Sequence, residues 1–332
     1  MSKATIKDIA RAANVSVATV SRVVNNGPKV GAKTRERIQH LINTMGYQPN
    51  VNARSLVMKK AATIGVVIPD VADPFFAALA KGVDQIAREN KVQLLISTGQ
   101  VSAESEMKAI TSLMQQRCES IVIHSKKIPD ETLIALFNDN PKFVLIDRYI
   151  EAISHRCIWL DNHIGGQKAA DYFSELNHCN IACVNSNLDI DDPKERLAGF
   201  QRGLASHGLT LNDKLITYAS PSLQGGEQAA QDLLKQNTPF SAIFVYNDAM
   251  AIGVISTLED KGLSVPNDVS VIGFDDVLLS RYSRPKLTTL RYPIDSMAKN
   301  AALLALSATI NPTAQVSSYS PELVIRESTQ AL

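Results

Sequence analysis

The chain has 332 residues, of which 45% are hydrophobic and 20% are charged. At about 100–200 residues per domain, this length predicts two or three domains, and the apolar fraction excludes a largely disordered chain. The sequence has no apolar run long enough to span a membrane and no apolar signal segment after Met1. We therefore expect a cytoplasmic protein without a membrane partner.

The charge is distributed unevenly, although the net charge is only +1. Residues 1–60 carry eleven Lys or Arg and two acidic residues, a formal charge of +9, so the rest of the chain sums to −8. A basic head on an acidic body is typical of a nucleic-acid-binding module joined to another domain. The alternative is a solvated basic tail, but such tails lack the apolar periodicity that this segment has.

The basic head has the pattern of three short helices. Thr5 can cap a first helix with Asp8 three positions on, and Ser16 can cap a second helix after the break at Asn14. A third helix is expected from about Ala32, with an inward face formed by Ile38, Leu41, Ile42 and Met45. Two short helices joined by a tight turn form a helix-turn-helix unit, whose second helix enters the major groove of DNA.

The second helix begins with side chains that a three-helix core cannot bury. Arg22 can donate to two acceptors on a guanine, and Val17 or Ala18 can contact a thymine methyl group. Alternatively, Arg22 contacts only phosphate, as many side chains do in protein–DNA complexes.

From Thr63 onward, short apolar runs alternate with helical stretches such as Pro74–Glu89 and Glu104–Gln116. Continuously apolar runs predict strands buried on both faces of parallel sheets, and the alternation predicts βαβ units. The segment is long for one open sheet, so we expect two lobes. The predicted strands are Ile64–Ile68, Val92–Ile96, Ile121–Ile123, Phe143–Ile146, Ile158–Leu160, Ile181–Val184, Ile243–Tyr246 and Val269–Ile272.

Polar and aromatic residues follow several of these predicted strands, where open α/β sheets bind their ligands. Carboxylates, amides, an arginine fork and aromatic rings together suit a sugar pocket. Each residue alone could instead cap the next helix, as we expect of Asp73 before Pro74, and Arg196 is expected to begin a helix. The candidate effector-binding residues are Asp73, Phe75, Phe76, Asp147, Arg196, Tyr246, Asn247 and Asp275.

The four cysteines form no C-x-x-C pair and lie in or beside apolar runs, so we expect reduced, buried thiols. His178, Cys179 and Cys183 lack the paired ligand spacing of a zinc site. No metal or other cofactor is expected. Common catalytic motifs such as G-x-S-x-G and the phosphate-binding G-x-x-x-x-G-K-[ST] are also missing, so an enzyme is not expected.

The run A-T-I-K-D-I-A-R-A-A-N-V-S-V-A-T-V-S-R-V-V-N, Ala4 to Asn25, resembles the head of the lactose/galactose repressor family of bacterial transcription regulators. Further segments match the family, so the resemblance covers essentially the whole chain. The V-S-V-A-T-V-S-R-V string is most similar to the galactose-type members. The other matching segments are T-R-E-R-I, G-Y-x-P-N and A-R-S-L in the head and hinge, and R-L-A-G-F, Y-N-D-A-M-A and I-G-F-D-D in the body.

The resemblance implies an all-α helix-turn-helix head at 1–49, a hinge helix and linker at 50–60, and a bilobal α/β body of the periplasmic-binding-protein type at 61–332. Lobe 1 would comprise about 61–160 plus 292–320, and lobe 2 about 161–291 plus 321–332. Each lobe would hold a parallel sheet. The implied DNA-contacting residues are Thr5, Ser16, Val17, Ala18, Thr19, Ser21, Arg22, Asn25, Tyr47, Asn50, Ala53 and Leu56.

In the family, the hinge becomes helical when two copies meet on the operator, and a leucine wedges into the minor groove. Leu56 is the matching residue here, although it could instead pack against the hinge of the other subunit. One head covers only a half-site, so a homodimer reading a palindromic operator in the nucleoid is implied.

The implied function is a repressor of galactose-utilisation genes that D-galactose releases, with Arg196, Asn247 and Asp275 as the principal effector-binding residues. Asp147 departs from the galactose-type pattern, which has Asn there, and this leaves the sugar open. The alternatives are a family member for another sugar and a corepressor-dependent member. A soluble sugar-binding protein or a sugar enzyme is disfavoured by the basic head.

Overall fold

The computed structural model describes residues 4–24, 27–47, 63–307 and 317–332. The chain divides into two compact units, Met1–Ala62 and Thr63–Leu332. Within the described residues, no helix has both the length and the apolar character needed to cross a membrane.

Three helices lie in the described part of the first unit, α1 Ile6–Ala12, α2 Val17–Val24 and α3 Ala32–Thr44. Both predicted caps are observed. The Thr5 side chain accepts from the backbone N–H of Asp8, whose carboxylate accepts from the Thr5 backbone N–H at 3.0 Å. The backbone N–H of Thr19 donates to Ser16 Oγ at 3.2 Å. The helices enclose a small core of Ile9, Ala10, Ala13, Val20, Val23, Ile38 and Ile42.

The predicted inward face of α3 is wrong at Met45, which is 37% exposed. The helix ends at Thr44, and Met45 is its cap. Gly46 follows with a φ of 62°, a left-handed conformation that favours glycine and turns the chain away. Met45 therefore leaves the buried stripe that Ile38 and Ile42 form.

The first lobe of the second unit is built on one six-stranded sheet. Its order is β11-β5-β4-β3-β1-β2, with all described pairs parallel. The strands are β1 Thr63–Ile68, β2 Gln93–Thr98, β3 Ser120–His124, β4 Phe143–Ile146, β5 Cys157–Leu160 and β11 Ser317–Tyr319. Its helices are α4 Pro74–Glu89, α5 Ala103–Gln115, α6 Asp130–Asp139 and α11 Ile294–Leu306, with a short 3₁₀ helix at Glu151–Arg156.

The second lobe contains another six-stranded sheet, in the order β12-β10-β9-β8-β6-β7. Only β12 runs antiparallel among its described pairs. The strands are β6 Ile181–Ser186, β7 Ile216–Ala219, β8 Ala242–Val245, β9 Ser270–Asp275, β10 Thr288–Arg291 and β12 Glu322–Val324. The helices are α7 Asn162–Glu175, α8 Asp191–Ser206, α9 Leu223–Lys235 and α10 Asp248–Asp260, with 3₁₀ helices at Asp213–Leu215 and Leu278–Arg281.

These two sheets confirm the predicted α/β body with two mostly parallel subdomains. The four strands that the apolar runs do not predict are β7, β10, β11 and β12. Two of them have three residues each, and β10 reads T-T-L-R, so none carries a long apolar run. A single cluster of buried residues extends from Ile64 in the first lobe to Phe274 in the second.

The cysteines are all free, and three of them are buried as expected. Burial raises the pKa of Cys157 to about 11 and that of Cys183 to about 12, so both thiols stay protonated. The expectation of burial is wrong for Cys179, which is exposed in the turn between α7 and β6. Among the residues that the structure describes, no His, Cys, Asp and Glu side chains cluster in a way that could hold a metal ion.

Helices α7 and α8 approach each other closely enough for backbone contact. A Cβ at Gly199 would lie 1.9 Å from the carbonyl oxygen of His163, and one at Gly166 would lie 2.0 Å from that of Arg196. Only glycine fits at such a contact, since any side chain would force the helices apart. This packing places Asn162, at the start of α7, beside Arg196 in α8.

We expect Gly199→Ala to destabilise the body, because overpacking of this kind costs about 1–3 kcal/mol or more. Urea unfolding measures the loss. Gln201→Ala, an exposed change on the same helix, is the matched control and should leave the midpoint almost unchanged. Equal midpoints for the two variants would show that α7 and α8 can separate at no cost.

Candidate functional site

A cavity of about 210 Å³ lies between the two lobes, beyond the carboxyl ends of their strands. The chain places polar side chains there because β1, β4, β8 and β9 all end at this edge. All eight residues predicted to bind an effector line this cavity: Asp73, Phe75, Phe76, Asp147, Arg196, Tyr246, Asn247 and Asp275. Their role in binding an effector stays a prediction.

Arg196 has a buried guanidinium held on several sides. Its Nε donates to Asn162 Oδ1 at 2.8 Å, and its Nη1 donates to the carbonyl of Tyr246 at 2.7 Å. The guanidinium carbon lies 3.6 Å from the centre of the Phe274 ring, a cation–π contact. Unlike Nε and Nη1, Nη2 makes no hydrogen bond with a described residue, so that group can donate to a ligand.

The prediction that Arg196 begins a helix is wrong, because α8 starts at Asp191. Two acidic residues suit the positive end of the helix, and Pro193 fits in the first turn, where its missing N–H is not needed. Arg196 therefore lies in the second turn, on the face that packs against α7.

Asp275 is the cavity carboxylate with the fewest protein partners. Arg196 Nη1 is 3.8 Å from Asp275 Oδ1, too far for a hydrogen bond, and no described residue donates to this carboxylate. Burial raises the pKa of Asp275 well above its usual value, although Arg196 partly opposes this. The residue ends β9 with a φ of 109°, a strained conformation for a non-glycine residue. Its oxygens are therefore available to accept from ligand hydroxyls.

Asp73 and Asn247 cap helices and line the cavity at the same time. Asp73 Oδ1 accepts from the backbone N–H of Phe75 at 2.8 Å, and Asn247 Oδ1 accepts from that of Met250 at 2.9 Å. The capping alternative is therefore correct for both residues, and it does not remove them from the cavity. Beside Asp73, the rings of Phe75 and Phe76 give the wall an apolar face.

A buried ion-paired layer lies beside these residues. Lys126 Nζ is 2.9 Å from Asp147 Oδ2 and 2.8 Å from Asp192 Oδ1, and it also donates to the Asp147 carbonyl. His124 Nε2 lies 2.9 Å from Asp147 Oδ2, and the Tyr292 hydroxyl donates to Oδ1. Asp147 and Lys126 belong to the first lobe and Asp192 to the second, so this cation joins the lobes.

The charges in this layer stabilise one another. Burial alone would raise the pKa of Asp147, but Lys126 and His124 hold it far below its usual value. Burial would likewise lower the pKa of Lys126, and the two carboxylates raise it instead. Both groups are therefore charged. Three side-chain donors already satisfy the Asp147 carboxylate, which distinguishes it from Asp275.

Buried Glu106 on α5 holds the loop that carries Lys126. Its carboxylate accepts from Ser125 Oγ at 2.6 Å and from the backbone N–H of Lys127 and of Ile128 at 3.1 Å each. A carboxylate that satisfies several loop donors fixes the course of that loop. The ammonium group is thereby directed between the lobes.

Sequence reasoning missed five polar residues of this site: His124, Lys126, Asn162, Asp192 and Tyr292. A signal was present for three of them, since His124 ends β3, Lys126 follows it, and Asn162 lies just beyond β5 at the same sheet edge. Tyr292 follows β10, a strand that the apolar runs do not predict, and Asp192 does not directly follow a strand.

The first unit presents the exposed start of α2. Val17 is 41% exposed, and Ala18 and Arg22 are also exposed, as predicted. Ser16 and Thr5 lie at the caps, Thr19 and Ser21 are half-buried on α2, and Tyr47 packs against the small core. Asn25, Asn50, Ala53, Leu56 and the predicted hinge lie outside the described residues. DNA contact by each of these residues stays a prediction.

Comparisons with known proteins identify both parts of the chain. Residues 5–50 match a family model described as bacterial regulatory proteins, lacI family, and residues 170–329 match a periplasmic binding protein-like domain. The HTH-type transcriptional regulator GalR of Escherichia coli is 44% identical over 327 residues, covering 98% of this chain and 95% of that protein. GalS of Salmonella typhimurium is 42% identical, covering 98% and 96%.

A solved structure of the Lac repressor dimer, bound to operator and the anti-inducer ONPF, has a TM-score of 0.87 at 25% identity. The matched region covers 99% of this chain and 100% of the Lac repressor chain. GalR and GalS are both transcriptional regulators. With such identities over nearly the whole length, the chain belongs to the lacI family of bacterial regulatory proteins.

Proposed function

We propose that the protein is a sugar-responsive transcriptional repressor that D-galactose releases from DNA. It binds a palindromic operator of galactose-utilisation genes as a homodimer, in the cytoplasm and on the nucleoid. The observation that carries this proposal is the pair of Asp275 and Arg196. A carboxylate without a donor and an arginine with an unused N–H group face one small cavity between the lobes.

The chemistry of the cavity suits a single neutral sugar ring. Its volume of about 210 Å³ is below the range of about 300–1,000 Å³ that is usual for drug-sized ligands. Hydroxyls can donate to Asp275 and to Asp73, and they can accept from Arg196. The rings of Phe75 and Phe76 offer an apolar surface to the C–H face of a sugar.

The names of the relatives support galactose and a repressor that works as a dimer. GalR and GalS are both more than 40% identical to this chain, and the Lac repressor was solved as a dimer on its operator. A different sugar is the second candidate, because Asp147 stands where we expect Asn in a galactose-type member. Its ion pair with Lys126 makes that difference part of the cavity wall.

Galactose can change DNA binding because the cavity has one wall on each lobe. Arg196, Asn247 and Asp275 belong to the second lobe, whereas Asp73 and Phe76 belong to the first. A ligand that bonds to both walls draws the lobes together, and closure changes how the two first lobes of a dimer are placed. The predicted hinges at 51–58 are then held apart and do not pair on the operator.

D-Galactose is expected to weaken operator binding by about 5–150-fold, the usual range for allosteric coupling. Because coupling is reciprocal, the operator must weaken galactose binding by the same factor. Fluorescence anisotropy on a duplex selected from a random pool measures the first effect, and calorimetry with and without that duplex measures the second. D-Glucose, which differs at one carbon, serves as the control sugar.

Three results would contradict this function. Tighter operator binding with galactose would make galactose a corepressor. An equal change in operator affinity with galactose and with glucose would exclude a galactose-specific pocket. Chemical conversion of the sugar would indicate an enzyme.

Asp275→Asn should weaken galactose binding about ten- to hundredfold, since leaving a buried hydrogen-bonding group without its partner costs about 1–3 kcal/mol. The change keeps the shape of the side chain and replaces one acceptor oxygen with an N–H₂ donor. Calorimetric titration gives the affinity, and Asp260→Asn, an exposed change at the end of α10, is the matched control. Unchanged galactose affinity in the Asp275 variant would place the sugar site elsewhere.

Lys126→Met should destabilise the body by about 3–5 kcal/mol, because it leaves two buried carboxylates without their cation. The neighbouring Lys127 pairs with an exposed Asp189 at 3.6 Å, so Lys127→Met is a matched control with little expected effect. Chemical unfolding compares the two variants. If both unfold at the same denaturant concentration, the Lys126 layer does not hold the lobes together.

A further inference from the structure

Two arginines of α3 donate to the backbone on either side of α2. Arg37 Nη2 donates to the carbonyl of Ala13 at 2.8 Å, and Arg35 Nη2 donates to the carbonyl of Gly27 at 2.7 Å. Ala13 is the C-cap of α1, just before the turn that leads into α2. Gly27 follows α2, and its own N–H donates to the Arg22 carbonyl at 2.7 Å. The two arginines therefore hold the points at which the chain enters and leaves α2.

The position of α2 depends on such contacts because the helix has only eight residues. Helices this short are marginal by themselves in water. The turn before α2 has Asn14 at a φ of 50°, and carbonyl groups near a helix end lack intrahelical partners. Charge-assisted donors such as a guanidinium satisfy these carbonyls strongly.

We propose that Arg35 and Arg37 are positioning residues that set the orientation of α2 for base recognition and do not bind phosphate. This inference rests on the proposed DNA-binding function. Two of the basic charges in the head are then engaged with protein backbone. The number of phosphate contacts is correspondingly smaller than the charge of the head suggests.

Positioning and phosphate contact have different consequences for DNA affinity. Non-specific binding comes essentially from phosphate contacts, and each contact steepens the salt dependence of binding. Base contacts add the sequence preference. A variant with a misplaced α2 therefore loses its preference for one DNA sequence, while the salt dependence of its DNA binding stays the same. A variant that lacks a phosphate contact binds every sequence more weakly.

The test uses the full chain with Arg35→Met or Arg37→Met, and Lys33→Met as the matched control on the same helix. Lys33 is exposed and makes no hydrogen bond or ion pair with a described residue, so its replacement removes an equal charge without removing such a bond. Affinities are measured for the duplex that the unmodified protein selects from a random pool and for a scrambled duplex of equal length. Salt is varied from about 50 to about 200 mM, a range over which phosphate contacts change affinity strongly.

We expect each arginine variant to lose about tenfold or more in affinity for the selected duplex, the loss typical of one base contact. Affinity for the scrambled duplex and the slope of log K against log salt should stay as in the Lys33 variant. Arg37→Gln keeps an N–H donor without the charge, and it should recover part of the sequence preference. It also replaces the Met variant if circular dichroism shows that the head has unfolded.

Two outcomes would overturn the proposal. Equal weakening on both duplexes, with the slope reduced by about 0.9 below the control, would identify a phosphate contact. Unchanged affinity for both duplexes would show that the hydrogen bonds serve the fold alone. Failure of the unmodified protein to select any duplex would instead refute the DNA-binding function, so the two failures are distinguishable.

Discussion

A buried ammonium group, that of Lys126, connects the two lobes of the body. A cation with 7% exposure is stable only if it is paired, and here the carboxylates come from both lobes. Asp147 directly follows β4 of the first lobe, and Asp192 lies in the first turn of α8 in the second lobe. Lys126, Asp147 and Asp192 all line the cavity between the lobes, so this layer forms part of the cavity wall. These charged groups are held in place by the hydrogen bonds of Glu106 and Tyr292 and by the close packing of α7 on α8.

The cavity wall thus contains carboxylates of two kinds. Protein donors satisfy the Asp147 carboxylate, whereas among the described residues Asp275 has only Arg196, 3.8 Å away, and accepts no hydrogen bond. Burial acts to raise the pKa of both carboxylates, but Lys126 and His124 lower that of Asp147, so only Asp275 keeps a raised pKa. A cavity wall made only of satisfied groups would offer no acceptor to a ligand, and one made only of unsatisfied groups would not be stable.

The sequence was sufficient for the parts that follow local rules. Continuous apolar runs located eight strands, and the rule that ligands bind beyond strand ends found Asp73, Asn247 and Asp275. Asp192 was missed because its partner Lys126 lies 66 positions away in the chain, and apolar periodicity carries no information about such pairs. Met45 was predicted to face the core because the apolar pattern of the third helix includes it, whereas the helix ends one residue earlier, at Thr44. The edge strands β11 and β12 were too short to produce a pattern.

The last two described strands of the chain determine when each lobe can finish folding during synthesis. Strands β11 and β12 follow all the other strands in the chain, and one joins each sheet. Neither lobe is therefore complete until residues 317–324 have left the ribosome. The three described helices of the head, in contrast, follow one another in the chain, and domains fold from the N-terminal side during synthesis. In each new molecule the part that reads DNA is folded before the part that senses the effector.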